Sequence, residues 1–156
     1  MAMREFFEHP LVNMLSAALV GGLASLVVSM VTIAPSQDRQ MRLERLTAFS
    51  DSSDSLLSLG TEFVTKLNAR EDLNATKQAI GNASAQQAIA SQAVLDVFGA
   101  AVKGPAESYQ VALVDFASVT ADVQGPSEVK QWVVAYDGVV RAQRALKDSM
   151  RERLSL

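Results

Sequence analysis

Ser127 and Lys130 stand one helical turn apart in Ser127-Glu128-Val129-Lys130, the S-x-x-K spacing in which a lysine takes the proton of a serine nucleophile. The S-D-N and K-T-G segments that complete such an acyl-transfer site are missing from the sequence. With Gly125-Pro126 directly before it, Ser127 reads as a helix start. Metal sites in helical bundles draw on Glu-x-x-His pairs, and the single histidine, His9, lies in an amino-terminal tail beside Pro10. The absence of cysteine excludes disulfides and thiolate metal sites. Gly21-Gly22 falls inside an apolar run and makes no phosphate loop. Asn74-Ala75-Thr76 and Asn82-Ala83-Ser84 match a glycosylation sequon, a three-residue pattern that arises by chance. Trp132 and Tyr136 share a helix face, as a core pair or, in a second reading, as the lining of a ligand cleft. The expectation is a protein without enzymatic activity, cofactor or metal.

The longest uncharged run, Leu11 to Ala34, holds 24 residues between His9-Pro10 and Pro35-Ser36-Gln37-Asp38. As a helix it would reach roughly 36 Å, enough to cross a hydrocarbon layer of about 30 Å with some tilt. It is longer than a signal-peptide core and lacks a basic start, so the predicted element is an uncleaved transmembrane helix after a tail at 1–10. Inside it Asn13, Ala17, Gly21, Ser25 and Ser29 recur every four residues, opposite a leucine-rich side. Small residues let membrane helices approach closely, and hydroxyls and amides bond across the seam, so this row is the predicted packing face. Pro10 suits a helix start, and Phe6 and Phe7 suit the headgroup layer.

Residues 35–156 are expected to form one extramembrane unit. Leu46, Phe49, Ser53, Leu56, Gly60, Phe63 and Leu67 alternate by three and four, and the run Ser50 to Ser55, where hydroxyls and carboxylates compete for backbone bonds, allows a break. The stripe loses phase at Asn68 to Asn74, where Asn68 and Glu71 would cap the next helix. That helix runs to about Val102 and is stopped by Lys103-Gly104-Pro105. A shorter one ends at Gln124-Gly125-Pro126, and the last keeps a broad apolar face from Val129 to Leu154. The predicted fold is all-α: one N-terminal transmembrane helix followed by an antiparallel bundle of about four helices.

In such a bundle the fourth helix returns to the start of the first. Arg141, Arg144, Lys147 and Arg151 would then join Arg39, Arg42 and Arg45 in a membrane-proximal basic collar, with the acidic residues between Glu71 and Asp137 away from it. Three arginines follow the span against Arg4 before it, which places the bundle on the cytoplasmic side of a cell inner membrane. A net charge of -3 without a basic run gives nucleic acid binding no support.

The layout, one amino-terminal anchor and a helical domain, resembles that of inner-membrane lysis proteins of phages and of single-anchor accessory subunits of membrane complexes. It rests on no motif and carries over no residue role. The expected function is non-enzymatic protein–protein association by a single-pass membrane protein, with membrane lipids, copies of itself or other membrane subunits as partners. The alternatives are a membrane-anchored sensor that binds a small ligand near Trp132 and Tyr136, or a lysis protein of the phage type.

Overall fold

Phe49, Leu56 and Phe63 are spaced by two helical turns and all three are buried, so a single helix carries them on one stripe. The structure, a computed structural model, describes residues 35–154. Four helices fill this range: α1 (Pro35–Ala69), α2 (Asn74–Phe98), α3 (Lys103–Asp122) and α4 (Val129–Leu154), with 3-10 turns at Gly99–Val102 and Pro126–Glu128. No strand occurs among the described residues. None of these helices is long and apolar enough to cross a membrane. The predicted span at 11–34, with its packing face at Asn13, Ala17, Gly21, Ser25 and Ser29, lies outside the described residues.

The serine-rich run does not break α1. Ser52 donates to the carbonyl of Ala48 at 2.9 Å and Ser53 to that of Ser50 at 2.9 Å, so the hydroxyls bond back onto the helix. Burial of Phe49 and Leu56 on either side of the run outweighs the low helix propensity of serine and aspartate.

The connections use different residues from those expected. Arg70 takes a positive φ of 58°, and Glu71 N–H closes back on the Lys66 carbonyl at 3.0 Å, a Schellman-type stop. Asn68 sits inside the last turn of α1, and it is Asp72 whose carboxylate accepts the Asn74 N–H at 3.0 Å and caps α2. Gly99, at φ 69°, ends α2 before Lys103-Gly104-Pro105 is reached. That tripeptide opens α3 instead, where a proline costs nothing because its missing N–H has no helical partner in the first turn.

Before α4 the Glu128 carboxylate accepts the backbone N–H of Gln124 and of Gly125, while Glu128 N–H donates to the Gly125 carbonyl at 3.1 Å. These backbone donors hold the Glu128 carboxyl below its ordinary pKa. A depressed folded pKa gives stability that is present above the unfolded value, about 4.3, and is lost as pH falls through the folded one. Glu128→Gln is therefore expected to lower the melting temperature at about pH 7, with a smaller gap to the parent protein at about pH 3. Circular dichroism melts at both values check this, and a gap independent of pH refutes it.

Each helix packs against its neighbours in sequence, and α4 closes the ring on α1. Side-chain pairs establish the directions: Lys77 of α2 reaches the Ala121 carbonyl of α3 at 3.0 Å, Trp132 of α4 donates to Thr120 of α3 at 2.9 Å, and Phe63 of α1 stacks on Trp132 at 4.9 Å. All four antiparallel contacts follow from this up-down-up-down order. The largest core side chains are Trp132, Tyr109, Phe49, Phe63 and Phe116.

Candidate functional site: the basic end of the bundle

The α1–α4 seam brings the end of one helix to the beginning of the other. Phe63 faces Trp132, and farther along Lys147 Nζ lies 3.5 Å from the Asp54 carboxylate. The α2–α3 connection arrives at the same place, because the Arg42 guanidinium lies 5.9 Å from the centre of the Phe98 ring at the end of α2. Arg39, Arg42 and Arg45 on α1 and Arg151 on α4 thus occupy one end of the bundle. Lys147 and Arg144 follow along α4, and Arg141, ten residues before Arg151, lies about 15 Å farther from that end, midway along the bundle.

Many of these cations already have acidic neighbours. Arg42 pairs with Asp38 at 2.9 Å, Arg141 with Asp137 at 3.1 Å, Lys147 with Asp54 at 3.5 Å and Arg151 with Asp148 at 3.2 Å. Arg39, Arg45 and Arg144 form no ion pair with a described residue. Exposed pairs of this kind contribute roughly 0.2–1 kcal/mol each and leave most of the charge available to solvent.

The hairpin α2–α3 also changes the charge distribution expected from the sequence. It carries Asp96 and Glu107 to the arginine end, where a reading by sequence position had put them with the distant acidic residues. It brings Lys103 there too, 3.8 Å from Glu107, a cation missed because Lys103 read as a helix stop. The opposite end is mixed as well. Lys66 pairs with Glu62 at 2.7 Å and donates to Thr76 at 3.0 Å; this pairing holds the Glu62 carboxyl below and the Lys66 ammonium above their usual values. The molecule is therefore basic-rich at one end rather than sharply polarised.

The other residues singled out above fall into the scaffold. Ser127 and Lys130 are exposed at the turn into α4. Trp132 is 1% exposed, stacked between Phe63 at 4.9 Å and Tyr136 at 5.1 Å, with Phe116 at 5.3 Å from it. Tyr136 donates to the Leu57 carbonyl at 3.2 Å, and burial raises its phenol pKa. A ligand entering there would have to displace rings that already fill the space. Among the described residues no three acidic or histidine side chains converge as a metal site would need. His9 lies outside the described residues.

The chain matches no protein-family model, no curated protein and no solved structure.

Proposed function

We propose that the chain is a non-enzymatic, single-pass membrane protein that works by protein–protein association, as an accessory or scaffold subunit of a membrane complex. In this reading residues 11–34 are the anchor, packing through Asn13, Ala17, Gly21, Ser25 and Ser29 against a second copy or another subunit, and the bundle meets a partner beside the membrane. One juxtaposition supports it. The uncharged run ends at Ala34, immediately before α1, and the amino end of α1 is where the basic side chains of α4 return. A basic residue near an anionic surface is attracted by about 1 kcal/mol, and Arg39, Arg45 and Arg144 are the residues with charge to spare for headgroups. The arginines after the run, set against Arg4 before it, favour a cytoplasmic bundle.

The full-length chain carrying a topology reporter at its carboxyl end is expected in the membrane fraction after alkaline carbonate washing, with the reporter active on the cytoplasmic side. Recovery in the soluble fraction without detergent sinks the proposal. In a membrane dimerisation reporter, Gly21→Leu is expected to lower association several-fold, since a leucine there separates the helix backbones by the width of its side chain. Unchanged association would remove the packing face while leaving the anchor.

A further inference from the structure

Halfway along the bundle the core turns polar. Tyr136 sits beside Phe116 of α3, with ring centres 5.7 Å apart, and over Gly60 of α1. Two helical turns, about seven residues, farther along these antiparallel helices bring Gln143, Tyr109 and Ser53 to one level. Tyr109 in turn donates its hydroxyl to Gln87 Oε1 of α2 at 3.0 Å. Every helix thus contributes a buried polar group to this layer: Ser53, Gln87, Tyr109 and Gln143 are all less than 5% exposed.

The layer is not satisfied from within. Gln87 Nε2, Gln143 Nε2 and, one turn before Gln87 on α2, Ser84 Oγ are buried and bond to no described protein atom. The nearby serine hydroxyls give their protons elsewhere. Ser53 donates to the Ser50 carbonyl, and Ser91 donates to the Ala88 carbonyl at 2.8 Å while accepting from Gln110 at 3.0 Å. Buried amide donors of this kind are costly to leave unpaired, and a native core supplies them with an acceptor.

We propose that the layer is a binding site for ordered water, which accepts hydrogen bonds from the Gln87 and Gln143 amides and completes the hydroxyl of Ser84. The chemistry selects water over other occupants. The unpaired groups are neutral, and none of the four residues that make up the layer is charged, so an ion would enter without a counter-charge. An apolar guest would leave both amides unpaired. Toward the basic end the ring of Phe49 lies edge-on to that of Tyr109 at 5.5 Å, and on the other side Trp132 and Tyr136 stack, with Phe116 tilted against both. Aromatic rings thus border the layer on both sides. A polar pocket with two to four hydrogen-bonding partners is the setting in which buried water persists. Held there, the water also pins the register of α4, since sliding it by one turn would part Gln143 from the layer and bury its amide among apolar side chains.

The test is rotating-frame nuclear Overhauser spectroscopy on the full-length chain, in detergent where required, with the glutamine side chains assigned. Cross-peaks of dipolar sign at the water frequency are expected on the side-chain amides of both Gln87 and Gln143; chemical exchange has the opposite sign and is thereby separated. Gln143→Met is expected to remove or weaken the water contact at Gln87 as well, as a water shared between the two amides requires. Ser84→Ala, a smaller change, is expected to reduce both contacts and covers the case of a Met variant that fails to fold. Absence of dipolar water contacts in the parent protein, or a direct bond between the two amides, overturns the proposal.

Discussion

Trp132→Ala is expected to cost about 3–5 kcal/mol, a large share of the about 5–15 kcal/mol that a domain of this size has in hand. Trp132 is where three helices meet. Its ring is stacked on Phe63 of α1 and Tyr136 of its own helix and tilted against Phe116 of α3, and its indole N–H donates to Thr120 at 2.9 Å. Truncation removes these contacts together, opens a cavity among rings too rigid to refill it, and leaves the buried Thr120 hydroxyl without its partner. Trp132→Phe keeps most of the ring and is expected to lose less, about 1–3 kcal/mol, mainly the Thr120 bond and the fill of the larger ring. Chemical unfolding followed by circular dichroism measures both. A midpoint for the alanine variant close to that of the parent would show that the aromatic cluster is not the centre of the core.

Gly60→Ala reverses the ordinary rule for helix glycines. In an exposed helix interior the change stabilises by roughly 1 kcal/mol, through helix propensity. Here a Cβ at Gly60 would lie 2.4 Å from Cε2 of Tyr136, closer than any non-bonded carbon pair sits. The ring cannot turn aside cheaply, because it stacks on Trp132 at 5.1 Å and its hydroxyl is bonded to the Leu57 carbonyl one turn before Gly60. Overpacking of this kind costs about 1–3 kcal/mol, which exceeds the propensity gain, so the net expectation is destabilisation. Tyr136→Ala vacates the space, and in that background Gly60→Ala should become neutral or stabilising. A double-mutant cycle with a coupling of about 0.5–3 kcal/mol checks the pair, and strictly additive effects would sever it.

These two positions also show where sequence and tertiary structure part. Ser53 and Gly60 read along the chain as flaws in the apolar stripe of α1. In the folded molecule each is small or polar because of what stands opposite: Tyr136 over Gly60, and the layer of Gln87, Tyr109 and Gln143 around Ser53. Nothing local announces this, since the partners lie on other helices. The connections divide in the same way. That a turn falls between Asn68 and Asn74 was legible from the lost phase; that Asp72 caps and Arg70 takes the left-handed conformation depends on backbone geometry reached only when α1 and α2 dock.

The sequence by itself determined the helical class, the number of bundle helices and the placement of Trp132 and Tyr136 on one apolar face, because a period of 3.6 residues is a property of each segment alone. It also brought Arg39, Arg42 and Arg45 together with the end of α4, since short turns between four helices leave only one simple topology. Tertiary structure alone brought Asp54 to Lys147 and decided that Asp96, Lys103 and Glu107 join the basic end. It alone packed the Trp132 ring against Phe63 and Phe116 and buried polar groups from four helices. The reason is physical: periodicity and the ion pairs of one helix turn are written into neighbouring residues, whereas burial and the gathering of groups from different helices depend on residues far apart in the chain, and those distances exist only once the helices have packed.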